Sequence, residues 1–189
     1  MRDFLKAIGV LLLLTVIIFG FRVGRELYYI QRYPLLYKDS IETSAKTYDL
    51  DPYMVASVIW VESKFNANAV SGKGAIGLMQ IMPDTGEWIA GKLGDADFSA
   101  DDLETPEVSI RYGCWYLNYL DERFSGDTTL MLAAYNGGPG RVEEWLADEQ
   151  FNENGQLVNI PFGETDDFIK RVENTYEIYQ EFYTFNDQN

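Results

Sequence analysis

The chain has 189 residues, of which 47% are hydrophobic and 24% are charged, a balance that suits one folded domain with a short appendage. It contains no histidine and a single cysteine, Cys114. Ser-His-Asp and Cys-His nucleophiles, histidine-containing zinc sites and an internal disulfide are therefore excluded, and proton transfer must use carboxylates, tyrosine or lysine. The net charge of −15 disfavours nucleic acid as a partner, because an acidic surface repels phosphates.

The first predicted element is an apolar helix at the start of the chain. Every residue from Ala7 to Phe21 is apolar, glycine or threonine, and with Phe4 and Leu5 the stretch approaches the roughly 20 residues needed to cross a bilayer. The run ends without the small residues of a signal-peptide cleavage site, so we expect an uncleaved membrane anchor. Two basic residues precede the run and four follow it, which by the positive-inside rule favours a cytoplasmic C-terminal side.

The rest of the chain predicts a mainly α-helical domain with at most a small β region. We therefore divide the chain into an anchor and juxtamembrane segment, residues 1–38, and a folded domain, residues 39–189. Asp51-Pro52 and Thr105-Pro106 mark helix starts, and the glycines between Ser71 and Gly77 favour a small hairpin. In chain order, we predict helices over about 39–48, 53–64, 83–93, 105–124, 128–136 and 141–147, and a last helix over 165–182 capped by Thr165, with an acidic loop over 94–103 and an extended segment over 151–162.

Two apolar stripes run along the predicted helix over 105–124, and two stripes indicate a central, largely buried helix. The single cysteine lies on one of them, so we interpret it as a core residue. The stripes are formed by Val108, Tyr112, Trp115 and Tyr119 and by Ile110, Cys114 and Leu117.

One carboxylate lies on the core-facing side of a predicted helix. At about 100° per residue, Glu62 falls in the same arc as Val55, Val58 and Ile59. Burial disfavours the charged form, so we expect the pKa of Glu62 to rise above its ordinary value of about 4.3. A carboxyl group that stays protonated near neutral pH is suited to general acid catalysis, although the same pattern fits a structural glutamate paired with Arg or Lys.

Three short segments stand out together with this glutamate. They are Glu62-Ser63, Gly77-Leu78-Met79-Gln80 and Ala134-Tyr135-Asn136, the last followed by Gly137-Gly138-Pro139-Gly140. Taken singly, Asn136 fits a helix C-terminus, Tyr135 fits amphipathic packing, and the glycines fit turns. The glycine-rich stretch is not followed by Lys-Ser/Thr or preceded by a predicted strand, so a phosphate loop is disfavoured.

Together the three segments resemble the catalytic domain of bacterial lytic transglycosylases of the soluble lytic transglycosylase type, which are relatives of goose-type lysozyme. The resemblance covers about Ile41 to Tyr183 and extends to the order and spacing of the motifs. It implies a lysozyme-like α-helical fold and cleavage of the β-1,4 bond between N-acetylmuramic acid and N-acetylglucosamine in peptidoglycan, with a 1,6-anhydro product. Glu164-Thr165 resembles a late Glu-Thr motif of the family, and Phe168 stands where the family often has a tyrosine.

The resemblance also implies roles for individual residues. Glu62 would protonate the glycosidic oxygen and then take a proton from the C6 hydroxyl of the muramoyl sugar, with Tyr135 beside the developing charge. The implied substrate-binding residues are Ser71, Gln80, Met82, Asn136 and Glu164. No metal or cofactor is expected, since acid–base sugar chemistry needs none. The expected partners are peptidoglycan glycan strands and, through the N-terminal helix, the cytoplasmic membrane, while the sequence identifies no partner in a cell-wall or secretion assembly.

The acids in the sequence fit a reaction with one catalytic carboxyl group. Ordinary glycosidases use two, but no other acid lies between Glu62 and Asp84, and Glu164 is the only second carboxyl linked to a motif. In the intramolecular reaction the substrate's own hydroxyl replaces water. The alternatives are a hydrolytic muramidase that uses Glu62 with a positioned water and a non-catalytic peptidoglycan-binding module. Because the implied substrate lies outside the cytoplasmic membrane, we expect a single-pass protein with an extracytoplasmic domain, against the flanking charge count.

Overall fold

The computed structural model describes residues 1–153, 156–157 and 160–185, and the chain divides into two compact units after Leu35. The first unit contains one long helix, α1 (Arg2–Arg32). Apolar side chains of α1 such as Leu11 and Phe19 are largely exposed. By length and composition, the span Phe4–Arg32 is suited to crossing a membrane.

The second unit is mainly α-helical, and its described residues also form one small sheet. The predicted fold class, mainly α with a small β region after an apolar N-terminal helix, is confirmed. The helices are α2 (Lys38–Thr47), α3 (Pro52–Ser63), α4 (Pro83–Leu93), a 3-10 helix (Ala100–Glu104), α5 (Pro106–Arg123), α6 (Thr128–Gly137), α7 (Pro139–Ala147) and α8 (Gly163–Phe182). Strands β1 (Asn152–Glu153) and β2 (Gln156–Leu157) pair antiparallel, with Asn152 opposite Leu157.

The core of the second unit is built around α3 and α5. Helix α3 packs against α2 and α8, while α5 packs against α2, α4, α6 and the 3-10 helix. Helix α3 begins as predicted. The Asp51 carboxylate accepts a hydrogen bond of 2.8 Å from the Tyr53 N–H, one of the first backbone N–H groups of the helix, which have no acceptor within the helix itself. Val55, Val58 and Ile59 on α3 are fully buried.

Only one of the two predicted stripes on α5 is buried along its length. Ile110, Cys114 and Leu117 are fully buried, which confirms that the cysteine is a core residue. Burial also raises the pKa of the Cys114 thiol. On the other stripe Tyr112 is buried while Trp115 and Tyr119 stay partly exposed, so that side of the helix is buried only in part.

Two helices begin earlier than the capping signals predict. Helix α8 starts at Gly163, so the prediction that Thr165 caps it is wrong. Thr165 lies in the first turn of α8, and its hydroxyl donates to the Asn136 side chain on α6 instead. Helix α7 starts at Pro139, two residues before the predicted start, because proline is well tolerated at the first helical position.

The two predicted irregular segments contain short regular elements. The acidic loop ends in the 3-10 helix, whose start is stabilised by a reciprocal capping pair in which the Ser99 N–H donates to the Asp102 carboxylate at 2.8 Å. The extended segment over 151–162 contains β1 and β2, while residues 154–155 and 158–159 lie outside the described residues.

The predicted hairpin near residue 71 forms in reduced size. The Ser71 N–H donates to the Ala75 carbonyl at 2.9 Å, and the Ser71 hydroxyl accepts from the Ala75 N–H at 2.9 Å. Isolated bridges join Val70 to Ile76 and Ile76 to Ile81. These bonds fix the turn 71–75 next to the Gly-Leu-Met-Gln motif at 77–80.

Candidate active site

Glu62 lies in the last turn of α3 and is partly exposed. Burial raises the pKa of its carboxyl group from an ordinary 4.5 to about 7, although the charge of Arg171 acts to lower this pKa and that of Glu164 to raise it. The predicted rise is confirmed. Within the described residues Glu62 forms no salt bridge or hydrogen bond with a basic side chain, so the alternative of a directly paired structural glutamate is not supported there.

The Gly-Leu-Met-Gln motif is held against one face of α5. Gly77 has a φ of 79°, and any Cβ at this position would clash with the Leu103 carbonyl oxygen, so glycine is needed for both reasons. The Met79 N–H donates to the buried Ser109 hydroxyl at 3.2 Å. A Cβ on Gly113 would clash with the Met79 side chain. The small residues of α5 therefore leave the space that this motif occupies.

Hydrogen bonds connect this motif to the other two. The Ser63 hydroxyl, next to Glu62, donates to the Leu78 carbonyl at 2.8 Å. The Tyr135 hydroxyl donates to the Met79 carbonyl at 2.7 Å. The three segments that lie far apart in the sequence thus meet at the residues 78–79.

Tyr135 lies close enough to Glu62 for their charges to interact. Burial raises the pKa of Tyr135 well above its ordinary value, and a negative charge on Glu62 raises it further. The Tyr135 ring packs between Tyr116, with centroids 5.6 Å apart, and Phe168, which is parallel to it at 6.4 Å. Phe168, which stands where the family often has a tyrosine, thus packs its ring against Tyr135, and this buried ring has no hydroxyl to donate.

Four of the predicted site residues line a single cavity of about 200 Å³. The Gln80 backbone has a left-handed φ of 49°, which its own side chain stabilises by donating from Nε2 to the carbonyls of Gly77 at 2.9 Å and Ala69 at 3.0 Å. The cavity is lined by Gln80, Met82, Tyr135 and Asn136 together with Ile81, Thr85, Tyr116, Gly137 and Gly138.

The other two predicted substrate-binding residues lie on a neighbouring surface. Ser71 is part of the turn 71–75, where its hydroxyl accepts the bond from Ala75. Lys73 on the same turn forms an ion pair of 3.2 Å with Glu164 at the start of α8, and both side chains are well exposed. Glu164 still lies near enough to Glu62 to affect its pKa. Ser71 and Glu164 are thus linked to each other through the turn.

Three residues of the site were missed by the sequence analysis. Ser109 and Gly113 lie one helical turn apart on α5 and make room for the Gly-Leu-Met-Gln motif. Arg171, which lowers the pKa of Glu62, lies seven residues after Glu164 on the same face of α8. For Ser109 and Gly113, the sequence signal that could have revealed them was a pair of small residues four positions apart in an otherwise apolar helix.

This arrangement is suited to moving a proton at neutral pH. A carboxyl group with a pKa of about 7 is present in both protonation states there, so it can donate a proton in one step and accept one in the next. Tyr135 keeps its proton, because its pKa is raised far above neutrality. Glu62 therefore has a pKa suited to acid–base chemistry, and Tyr135 is a neutral hydroxyl beside it.

The Transglycosylase SLT domain family model matches residues 39–158. The chain belongs to this family. The chain is 33% identical over 145 residues to the soluble lytic murein transglycosylase of Salmonella typhimurium, and the matched region covers 75% of the chain and 22% of that protein. It is 30% identical over 172 residues to the membrane-bound lytic murein transglycosylase C of Edwardsiella ictaluri, covering 76% of the chain and 46% of that protein.

The SLT domain also has a close structural likeness among solved proteins. The chain superimposes on an inactive mutant of the lytic transglycosylase Slt from Pseudomonas aeruginosa with a TM-score of 0.73 and 32% identity, covering 82% of the chain and 26% of that one. The chain therefore spans about a quarter of the length of the Salmonella and Pseudomonas proteins. The predicted family and the lysozyme-like helical fold are confirmed.

Proposed function

We propose that residues 39–189 are a peptidoglycan lytic transglycosylase domain. The reaction is cleavage of the β-1,4 bond between N-acetylmuramic acid and N-acetylglucosamine, with a 1,6-anhydromuramoyl product. The observation that carries the proposal is the pKa of about 7 at Glu62, whose charge acts on Tyr135 in the lining of a cavity formed by two of the motifs of the SLT domain. The names of the Salmonella and Edwardsiella relatives support the same reaction class.

In the first step, protonated Glu62 donates its proton to the glycosidic oxygen. The C1–O bond breaks, the N-acetylglucosamine side leaves as an alcohol, and positive charge develops at C1 of the muramoyl sugar. Glu62 is now a carboxylate, and its negative charge stabilises the positive charge nearby. Tyr135 stays protonated throughout, so it contributes a neutral hydroxyl and an electron-rich ring to this environment.

In the second step, the Glu62 carboxylate takes the proton from the C6 hydroxyl of the same muramoyl sugar. The C6 oxygen forms the new bond to C1, which closes the 1,6-anhydro ring and returns Glu62 to its protonated form. No water is consumed, and no second catalytic carboxyl is required. Holding the sugar so that C6 faces C1 supplies the proximity that an external water lacks.

The substrate would be held by Ser71, Gln80, Met82, Asn136 and Glu164. Because the Gln80 amide nitrogen already donates to two carbonyls, its oxygen is the atom oriented to accept a bond from the sugar. The exposed Met82 side chain offers an apolar contact. The Asn136 oxygen accepts from Thr165 at 2.9 Å, which leaves its amide N–H groups for the substrate.

We further propose that residues 1–38 anchor the protein in the cytoplasmic membrane by a single pass, with the domain on the extracytoplasmic side. The exposed apolar surface of α1 and the location of peptidoglycan support this arrangement. Protease treatment of intact spheroplasts should digest the domain. The α1 segment should remain in the membrane fraction after alkaline washing. A domain that stays protected until the membrane is broken would support the orientation given by the flanking charges instead.

The reaction is tested by the chemistry of its products. Purified peptidoglycan is digested with the wild-type chain and with Glu62→Gln, and the fragments are identified by mass spectrometry. Anhydromuramoyl ends from the wild type and no cleavage by Glu62→Gln are expected, while Glu87→Gln, a change at an exposed site on α4, should cleave normally. Reducing muramic acid ends would indicate a hydrolytic muramidase. Binding of glycan without any cleavage by the wild type would indicate a non-catalytic module.

A further inference from the structure

An exposed ion pair joins two segments next to the candidate active site that lie far apart in the sequence. The Lys73 ammonium group lies 3.2 Å from Oε1 and 3.3 Å from Oε2 of Glu164, which follows 91 residues later in the chain. The two side chains are 78% and 68% exposed. We call this contact the 73–164 ion pair.

The Lys73 end of this ion pair is fastened to the Gly-Leu-Met-Gln motif. Lys73 lies on the turn 71–75, and the Ala69 carbonyl just before this turn accepts a hydrogen bond of 3.0 Å from Gln80 Nε2. Open space surrounds the other end of the turn, because a Cβ on Gly74 would meet nothing within 4 Å. The base of the turn is therefore held by a residue of the cavity lining, while its tip, which carries Lys73, has room to move.

The Glu164 end is fastened to the Ala-Tyr-Asn motif. Glu164 lies in the first turn of α8, and the next residue, Thr165, donates from its hydroxyl to the Asn136 side chain at 2.9 Å. Asn136 lines the same cavity as Gln80. The charge of Glu164 also acts on Glu62. The 73–164 ion pair thus connects two segments of the cavity lining at a point that the catalytic carboxyl group senses.

The ion pair occupies a group that the glycan is expected to use. Because the Lys73 nitrogen is almost equally far from both Glu164 oxygens, it covers the edge of the carboxylate to which sugar hydroxyls would donate. An ion pair between exposed side chains contributes little free energy, and dissolved salt screens it. A bound saccharide can therefore displace Lys73, but it must compete with it.

We propose that Lys73 competes with the glycan strand for Glu164 and so lowers the affinity of the active site for its substrate. This inference rests on the proposed function, in which Ser71 and Glu164 contact sugar. When a strand enters, sugar hydroxyls replace the Lys73 ammonium group at the carboxylate, and the tip of the turn 71–75 moves away from α8. The Glu164 charge, no longer balanced by Lys73, then acts more strongly on Glu62 and favours its protonated form, which starts the reaction.

The test measures binding of fully N-acetylated chitohexaose, which carries no charge, to the full chain in detergent. The parent is Glu62→Gln, which should not cleave this saccharide. Dissociation constants are measured by ligand-observed NMR at about 20 mM and about 500 mM NaCl, between which the Debye length falls from roughly 20 Å to roughly 4 Å. At the lower salt concentration we expect Lys73→Met to bind about threefold more tightly than the parent, as suits the loss of an exposed ion pair. The parent should approach this affinity at the higher salt concentration, whereas the affinity of Lys73→Met should stay constant.

Three further variants separate competition from other roles of Lys73. Lys73→Arg keeps the ion pair and should behave like the parent. Lys46→Met removes the same charge from an exposed residue on α2 that does not line the cavity, and it should also behave like the parent. In a Glu164→Gln background Lys73→Met should have no effect on affinity, because the competition needs the carboxylate.

The possible outcomes distinguish this proposal from the proposed function. Equal binding by the parent and Lys73→Met at both salt concentrations would overturn the competition alone. Weaker binding by Lys73→Met would also overturn it, since Lys73 would then be a ligand of the sugar. The same gain in affinity in the Glu164→Gln background would assign the effect to the overall charge instead. A parent that binds no saccharide at either salt concentration would overturn the proposed function together with the competition.

Discussion

Replacing Glu62 by glutamine should stabilise the domain, and increasingly so as the pH rises. In the unfolded chain the carboxyl group titrates near its ordinary pKa of 4.5, whereas burial in the folded domain raises this pKa to about 7. Folding therefore favours the protonated form. The stability that the protonated carboxyl provides is fully present below about pH 4.5 and is lost as the pH rises through about 7.

The size of this loss follows from the two pKa values. Each pKa unit is worth about 1.4 kcal/mol, so the ionised Glu62 costs the folded domain about 3 kcal/mol of unfolding free energy at alkaline pH. A glutamine of nearly the same shape is neutral at every pH and does not carry this cost. Between about pH 5.5 and pH 8.5 the stability difference between Glu62→Gln and the wild type should grow by about 2 kcal/mol in favour of the variant.

The assay is urea unfolding of both full chains in detergent at these two pH values, which lie above the sequence pI of about 4.3 where the protein is least soluble. Comparing variant with wild type at each pH cancels the effect of the other charges. Glu87→Gln is the control, because an exposed glutamate should give a small difference that does not depend on pH. A raised pKa at this carboxyl would be refuted if the stability difference between Glu62→Gln and the wild type were the same at both pH values. It would also be refuted if this difference shifted in favour of the wild type at the higher pH.

Gly113→Ala should lower the free energy of unfolding by about 1–3 kcal/mol, because its new methyl group would clash with the Met79 side chain in a packed core. Gly91→Ala on α4 has nothing within 4 Å of the new methyl group and should raise stability by up to about 1 kcal/mol, so similar effects in urea unfolding would contradict the packing argument. Thr165→Val should destabilise by about 1 kcal/mol, because it leaves the Asn136 oxygen without the bond of 2.9 Å. Thr165→Ser keeps the hydroxyl, and an equal loss in thermal unfolding of both variants would assign the effect to packing instead.

The helices could be predicted from the sequence, because their signals are local. Asp51 satisfies a backbone N–H two residues away, and the spacing of Val55, Val58 and Ile59 fixes which face of α3 is buried. The same periodicity placed Glu62 beside the core and gave the direction of its pKa shift. The three motifs identified the family, since their order and spacing are properties of the chain alone.

The way in which distant segments meet could not be predicted from local signals. The space for the Gly-Leu-Met-Gln motif depends on Ser109 and Gly113, whose small size has meaning only once α5 packs against that motif. Thr165 carries a good capping signal, but its partner is Asn136 on another helix, and a long-range hydrogen bond in a buried place outweighs a local cap.

The exposure of the α5 aromatic side chains likewise depends on tertiary packing. Periodicity predicts that Trp115 and Tyr119 lie on an apolar face of α5, but the same pattern fits a face buried in the core and a face that lines an open groove. The position of α4 and of Trp88 leaves that face open beside Tyr116. Burial depends on what the neighbouring helices cover, and that information is spread over the whole chain rather than held in any one segment.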